Sequence, residues 1–325
     1  MSNARPACRP AVAASRGAIV AIFFLAAINL SAAPPSSARR GHAASPAVIG
    51  MASVHLRVKS RQEARWIFHH LLGFNLAFET HGRGGHPVLY YKVNDYQYLR
   101  ITPRWSGGNQ PRLVSVGYRT RNARGLHARI VKAGFHPGPV HRLADGNLGF
   151  RMRDPEGHRL LFVQYLPGSR TGKLRGRLLS KRRLSPRLIH AGYIVRSPKT
   201  EDRLFLATLH FNHMWHGGMH AGETDWIDRR TADGPDWLEY MLRMPAHPSL
   251  RQRAVADHFS LGVYHMQAVY RELVARGWKP TQKPQIGRDG KWQLNLYTQA
   301  GSRIELMGPH PVEKPCCSPI LPGSW

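Results

Sequence analysis

The stretch Asp154-Pro155-Glu156-Gly157-His158-Arg159-Leu160 links two apolar segments, and Thr298-Gln299-Ala300-Gly301-Ser302-Arg303-Ile304 repeats its pattern late in the chain. In both heptapeptides a glycine follows a turn-forming triplet, where it supplies the positive φ that such a turn requires. Each turn closes a segment that begins with a short predicted strand, at residues 114–118 or 260–264, followed by a helix. The two turns therefore mark the ends of two copies of one strand–helix–strands unit.

Two further segments begin in a related way. A predicted strand at residues 54–58 leads into a helix near residues 62–72, and a strand ending at Val195 leads into a helix near residues 201–209. The chain thus consists of four units that alternate between two variants. The basic segment 168–187 separates them into two pairs, which predicts two domains of α+β class.

Length and composition agree with this organisation. The 325 residues suffice for two domains, and 42% hydrophobic with 20% charged residues is typical of a globular protein. The formal charge of +28 raises nucleic acid or an anionic membrane as a partner. However, the charge is scattered over every segment and no nucleic-acid-binding motif accompanies it. We therefore expect no specific nucleic-acid partner.

The N-terminus has the pattern of a secretory leader. Arginines precede the apolar run 17–27, and small residues follow it, so residues 1–33 are predicted to be a signal peptide and residues 34–48 a disordered Pro/Ser/Ala-rich segment. The apolar run is too short for a membrane span. The mature chain is therefore expected to be periplasmic or secreted and without a transmembrane segment, with an uncleaved N-terminal anchor as the alternative.

The C-terminal tail, residues 310–325, is rich in proline and is expected to be extended and poorly packed. It contains the adjacent pair Cys316 and Cys317. Neighbouring cysteines are poorly placed for a structural disulfide, and no metal-ligand spacing accompanies them. The sequence therefore gives this pair no role.

Two histidines and two glutamates stand at matching places in the repeats. His190 and His258 lie at the start of the third and fourth units, and Glu239 and Glu305 stand inside apolar runs near the ends of those units. A carboxylate is rarely buried unless it is paired or bound to a metal. We predict that the four residues form one metal site, and a set of two imidazoles and two carboxylates suits Mn, Fe, Co, Ni or Zn.

The four units, the Asp-Pro-Glu-Gly-His-Arg turn and the spaced His/Glu pairs resemble the vicinal oxygen chelate superfamily. This group includes glyoxalase I, methylmalonyl-CoA epimerase, extradiol dioxygenases, and the fosfomycin and bleomycin resistance proteins. The resemblance covers about residues 49–309 and implies a first domain at residues 49–167 and a second at 188–309, joined by the linker 168–187. It also implies four βαβββ units paired so that curled mixed sheets form cups, with the metal inside.

The two domains differ at the positions where the resemblance implies metal ligands. The second domain keeps His190, Glu239, His258 and Glu305. Alignment of the units places other residues at the corresponding positions of the first domain, namely Ser53, Arg100, Leu113 and Leu161. The first domain is therefore expected to bind no metal and to act as a structural partner or as an anion-binding pocket through Arg100.

The resemblance implies a small-molecule substrate with two adjacent oxygens, and a homodimer is possible. In a glyoxalase-like or epimerase-like isomerase or lyase, Glu239 would be the catalytic base, with its pKa raised by the dry cup, and the metal would stabilise an enediolate. In an extradiol-type Fe(II) dioxygenase, His190, His258 and Glu305 would hold the iron, but Asn295 stands where those enzymes carry a Tyr. A third possibility is a non-enzymatic, ligand-sequestering protein of the resistance type.

Overall fold

The computed structural model describes residues 47–108 and 110–322. Its first half contains an eight-stranded mixed sheet with the strand order β2-β3-β4-β1-β5-β8-β7-β6. The strands are β1 (Val48–Arg57), β2 (Asn75–His81), β3 (Pro87–Lys92), β4 (Tyr98–Thr102), β5 (Leu113–Thr120), β6 (His141–Arg142), β7 (Leu148–Arg153) and β8 (Arg159–Gln164).

The second half contains another eight-stranded sheet, with the order β10-β11-β12-β9-β13-β16-β15-β14. Its strands are β9 (Arg187–Ile194), β10 (Asn212–Gly217), β11 (Trp226–Arg230), β12 (Trp237–Met241), β13 (His258–Gly262), β14 (Gln285–Ile286), β15 (Trp292–Tyr297) and β16 (Arg303–Met307). The order repeats that of the first sheet strand for strand. In each sheet two parallel pairs, β1 with β4 and β5 with β8, or β9 with β12 and β13 with β16, meet at a central antiparallel pair.

The helices are short. They are α1 (Arg61–Ala64), which continues as a π-helical segment (Arg65–Leu71), α2 (Ala123–Lys132), α3 (Arg170–Lys173), α4 (Pro198–Phe205), α5 (Leu250–Ala256) and α6 (Met266–Ala275), with a 3₁₀ turn at Arg83–Gly85. Capping side chains fix where they begin: Asn122 accepts a hydrogen bond from the Gly125 amide, and Ser197 accepts one from the Thr200 amide. With α1, α2, α4 and α6 following the first strand of each unit, the structure confirms the predicted α+β fold class of four βαβββ units.

One apolar core spans both sheets. Tyr118 of β5 contacts Phe162 of β8 in its own sheet, and it also packs edge-on against Phe205 and Phe211, which belong to the second half of the chain. The described residues accordingly form one compact unit. Because aromatic side chains bury large areas, this shared core is the main source of cohesion between the two sheets.

A buried polar group also connects the two sheets. The Oδ2 of Asp236 accepts a hydrogen bond from the Met51 amide at 2.7 Å, and its Oδ1 lies 2.6 Å from the Arg187 guanidinium. Gln97 of the first half bonds to both backbone groups of Leu188 at the start of the second sheet. Burial raises the pKa of Asp236, while Arg187 acts in the opposite direction.

The described part of the tail contacts the second sheet at a few points, although none of its residues is buried. The Leu321 amide donates to the Met214 carbonyl of β10, and the Cys316 amide donates to the Arg288 carbonyl, each at 2.8 Å. Ile320 packs onto an apolar cluster formed by Ile189, Met214, Trp215, Trp237 and Met307. The sheet edge and this cluster give the tail partners that its own composition does not reveal.

Cys316 and Cys317 form a disulfide with each other, contrary to the expectation from their adjacency. Both lie in the tail, where Cys316 Sγ approaches the Gly218 carbonyl. The predicted signal peptide and most of the segment 34–48 lie outside the described residues. Within the described part of the chain, no helix has the length and apolar character needed to cross a membrane.

Candidate metal centre

The register of the four central strands of the second sheet brings the four candidate ligands to one place. Glu239 of β12 and His258 of β13 both pair with Gly192 of β9. Two residues further along β13, and therefore on the same face, Ser260 pairs with both His190 and Glu305. Because side chains alternate along a strand, the four polar side chains all stand on one face of the sheet.

The donor atoms of the two histidines and Glu305 converge. His190 Nε2 lies 3.1 Å from His258 Nε2 and 3.1 Å from Glu305 Oε2, and His258 Nε2 lies 3.8 Å from the same oxygen. Glu239 Oε2 lies 3.2 Å from His258 Nε2. Both histidines are fully buried and Glu305 is 3% exposed, whereas the Glu239 side chain is 13% exposed at the rim.

This arrangement suits a divalent metal ion. His190, His258 and Glu305 offer one ligand atom each, all within 4.8 Å of one another. Glu305 Oε2 is buried and lies against the nitrogens of His190 and His258, so it points at the place that the two imidazoles share. Two imidazoles and a carboxylate that face one another are a donor set typical of Fe, Mn, Co, Ni or Zn.

His258 is held in the tautomer that ligation requires. Its Nδ1 lies 2.8 Å from the Ala256 carbonyl, which can only accept, so Nδ1 carries the proton and Nε2 presents a lone pair to the site. Burial, and then the charge of Arg303, lower the pKa of His258 and keep the imidazole neutral. The backbone carbonyl thus provides the hydrogen bond that usually orients a ligating histidine.

Arg303 is a site residue that the sequence did not single out. Its Nη2 lies 2.6 Å from His258 Nε2 and 4.0 Å from Glu239 Oε2, and its Nε is buried without a hydrogen-bond partner among the described residues. Arg303 stands two positions before Glu305, and in a strand this spacing places both side chains on the same face. That alternation is the signal that could have found it.

Gly192 is the second residue that was missed, and it makes room for the site. A Cβ added to Gly192 would lie 2.2 Å from His258 Cε1 and 3.1 Å from Glu239 Oε2, both closer than ordinary contact. A glycine inside a strand often marks such a close approach, so its place between two ligand-bearing strands was a usable signal.

Both carboxylates of the site favour the ionised form. Burial by itself would raise the pKa of Glu239, but the hydrogen bond with His258 and the nearby imidazoles bring it below the ordinary value. The expectation of a raised pKa for Glu239 is therefore wrong. Burial likewise opposes ionisation of Glu305, and His190 and Arg303 hold the pKa of this group well below its usual range.

The fold is similar to that of solved enzyme structures. The Mn(II)-bound glyoxalase from Novosphingobium aromaticivorans superposes with a TM-score of 0.57 at 16% identity, over 81% of this chain and 82% of that one. The 2,3-dioxygenase LapB from Pseudomonas sp. KL28 gives 0.60 at 14% identity, over 83% and 97%. The halotolerant catechol dioxygenase BphC gives 0.59 at 16% identity, over 85% and 91%.

This chain has the vicinal oxygen chelate fold. No protein-family model and no curated protein matches its sequence.

Within this vicinal oxygen chelate fold, the first sheet lacks the ligand set of the second. By strand register, Ser53 stands where His190 does, Arg100 where Glu239 does, and Leu161 where Glu305 does, as expected. The assignment of Leu113 to the position of His258 is wrong. His258 pairs with Gly192, and the residue of the first sheet that matches Gly192 is His55. Since His55 pairs with Ser115, Ser115 occupies the position of His258. The correspondence follows from the strand pairing and not from aligning Gly117 with Gly262.

A second group of possible ligands, Asp154, His158 and Glu201, lies at the Asp-Pro-Glu-Gly-His-Arg turn. Here internal contacts satisfy most donors and acceptors: Asp154 Oδ2 lies 2.9 Å from His158 Nδ1, and Glu201 Oε1 accepts from the Glu156 amide at 2.9 Å. Burial, reinforced by Asp154, raises the pKa of Glu201 to about 9. At neutral pH this glutamate is therefore protonated, which fits a structural role in the turn.

Proposed function

We propose that the protein is a metal-dependent enzyme that acts outside the cytoplasm on a small molecule with two adjacent oxygens, in a glyoxalase-like or epimerase-like lyase or isomerase reaction. The observation that carries this proposal is the difference in burial and contacts among the four polar residues. His190, His258 and Glu305 form a buried, mutually contacting group, whereas Glu239 stands at its more exposed rim. Three fixed ligands and one peripheral carboxylate suit a reaction in which the fourth residue handles a proton.

His190, His258 and Glu305 would hold the ion. When bound, a divalent metal supplies Lewis-acid stabilisation of negative charge on the two adjacent substrate oxygens. Glu239 is ionised, because its pKa lies below the ordinary value, and can accept a proton from a carbon beside the substrate carbonyl. The same oxygen can return that proton to a neighbouring atom.

Arg303 is suited to orient the substrate. Its buried Nε lacks a hydrogen-bond partner among the described residues, and its Nη2 already reaches the donor nitrogen of His258. A guanidinium presents its N–H groups in a fixed fork that matches the oxygens of a carboxylate or a similar anion. We infer that a substrate oxyanion takes this position, which fixes the reacting carbon near Glu239.

One observation favours an extradiol-type dioxygenase as the second candidate. Two histidines and one carboxylate within 4.8 Å form the set of ligands that non-haem Fe(II) oxygenases use. Against it stands β15, where Asn295 pairs with Glu305 at the position at which the family resemblance implies a Tyr. Tyr297, two residues along, is 42% exposed. We therefore rank the lyase or isomerase reaction first.

The test loads the purified chain with Fe(II), Ni(II) or Co(II) and offers catechols, α-ketoaldehydes and 2-oxo acids. We expect anaerobic turnover of a carbonyl substrate with Ni(II) or Co(II). Glu239→Gln should keep the metal and lower turnover by about 100-fold or more, which is the usual effect of removing a general base. Glu272→Gln, an exposed carboxylate on α6, is the matched control and should leave turnover unchanged.

Two results would contradict the proposal. Oxygen uptake with a catechol under Fe(II) would favour the dioxygenase. Tight ligand binding with no chemistry under any metal would favour a ligand-sequestering protein. Export is tested separately by recovering the chain from the periplasm or medium and sequencing its new N-terminus, and a chain that retains residues 1–33 in the cytoplasm would exclude it.

A further inference from the structure

The first sheet lines an open cavity of about 950 Å³, at the upper end of the range of about 300–1,000 Å³ typical of small-molecule sites. Among the described residues, its lining contains four histidines and no aspartate or glutamate. It also contains six arginines: Arg57, Arg100, Arg104, Arg151, Arg153 and Arg159. This concentration of one sign of charge in a concave site has no counterpart in the metal centre of the second sheet.

Arg100 lies deepest among these cations. It occupies in β4 the position that Glu239 occupies in β12, so the same place in the fold carries the opposite charge. Arg100 is 9% exposed, and its Nε lacks a hydrogen-bond acceptor among the described residues. A buried guanidinium N–H without an acceptor is unfavourable, and an anion that enters the cavity would remove this cost.

At the rim of the cavity, two arginines face each other, which is electrostatically unfavourable. Arg153 of β7 stands directly opposite Arg159 of β8 in their antiparallel pairing. Like charges in such a pair destabilise a sheet unless a counter-charge lies between or beside them. Arg153 donates to the Gly157 carbonyl at 2.6 Å, and Arg57 donates to the Pro111 carbonyl at 2.7 Å, so neutral acceptors rather than carboxylates meet these groups.

The pKa of His55 reflects the positive electrostatic potential inside the cavity. Its pKa is lowered well below the ordinary value, first by burial and then by the charges of Arg100, Arg57, Arg151 and Arg159. An adjoining cavity of about 60 Å³ does contain one carboxylate, Asp145, but its oxygens accept hydrogen bonds from the backbone and side-chain amides of Asn147. The large cavity therefore keeps a net positive potential.

We propose that this cavity binds a small organic or inorganic molecule with at least two oxyanion groups, with Arg100 holding one group in the interior and Arg153 and Arg159 holding another at the rim. The volume exceeds what a single monovalent ion needs, and the spread of cations from interior to rim matches a ligand with separated charges. The proposal does not depend on the metal centre or on the reaction proposed above.

The experiment measures binding of citrate and of pyrophosphate to the whole chain by calorimetry, with glycerol as the uncharged control. The two anions separate a polycarboxylate preference from a phosphate preference. Arg100→Gln and Arg159→Gln should each weaken binding about tenfold or more, since a charge-assisted hydrogen bond is lost. Arg100→Lys should restore part of the loss because it keeps the charge but not the fork.

Arg124→Gln is the matched control, because Arg124 is an exposed arginine on α2 outside the cavity lining. It removes the same charge and should leave the affinity unchanged. Equal weakening by Arg124→Gln, or displacement of citrate by an oligonucleotide, would assign the effect to the basic surface and overturn the proposal. No binding above the glycerol control would overturn it as well.

Arg159→Gln alters an exposed side chain, so it decides the matter even if Arg100→Gln does not fold. Metal content is measured on the same preparations. It should be equal in all variants, which keeps this test separate from that of the metal centre.

Discussion

The prediction that tests the geometry of the metal centre most directly is Gly192→Ala. The added Cβ would lie 2.2 Å from His258 Cε1, whereas ordinary contact begins at 3.4 Å, so the imidazole must retreat by about 1.2 Å. Ligand distances in metal sites tolerate deviations of about 0.2 Å, so His258 would no longer reach an ion that His190 and Glu305 hold. Gly192 does not have a positive φ, so the change adds no backbone strain.

Loss of a residue that orients a ligand lowers metal affinity by about 10–100-fold. We expect the metal affinity of Gly192→Ala to fall by at least this much, because here a ligand itself is displaced. The stability of the metal-free protein should fall by about 1–3 kcal/mol, the usual cost of overpacking. The assay is calorimetric titration with Co(II) or Zn(II), together with thermal unfolding of the metal-free chain.

Gly168→Ala is the matched control, because a Cβ there would meet no heavy atom within 4 Å and the position is exposed. It should change neither affinity nor stability. A folded Gly192→Ala variant that binds the metal as tightly as the unchanged chain would refute the reasoning. It would mean that His258 does not ligate the ion from this strand position.

Three further outcomes are expected. Asp236→Ala leaves Arg187 and the Met51 amide without their buried partner and should cost about 3–5 kcal/mol in urea unfolding; a loss below about 1 kcal/mol would contradict this. Because the pKa of Glu201 rises from 4.5 to about 9 on folding, its stabilising contribution is complete below pH 4.5 and is lost as pH rises towards 9. Glu201→Gln should thus gain stability over the unchanged chain by about 1.4 kcal/mol per pH unit in that window, and a pH-independent difference would contradict the assignment. Metal at about 100 times its dissociation constant should stabilise the chain by about 2.7 kcal/mol, reversibly with a chelator, and His258→Ala should abolish this effect.

The fold class could be read from the chain because its signals are local and occur four times. Each unit carries its own strand, helix and turn pattern, and the glycine of the Asp154–His158 turn is fixed by backbone sterics alone. The choice of His190, Glu239, His258 and Glu305 also came from local context, since isolated polar residues inside apolar strands need a buried partner.

Strand register could not be read in this way. It depends on contacts between residues far apart in sequence, and the pairing of Ser115 with His55 gives Ser115, not Leu113, the position in the first sheet that His258 occupies in the second. The same holds for the position of Arg303 beside His258 and for the tail, whose Ile320 packs on a cluster assembled from β9, β10, β12 and β16. Each of these features depends on which distant strands become neighbours.

The sequence by itself determined the repeated units and the residue types available for chemistry. The tertiary structure alone decided the room at Gly192, the lowered pKa of Glu239 and the gathering of arginines around Arg100. The physical reason is that steric fit and electrostatic potential depend on distances between side chains, which pairing of the strands fixes, whereas secondary structure depends mainly on each residue and its neighbours along the chain.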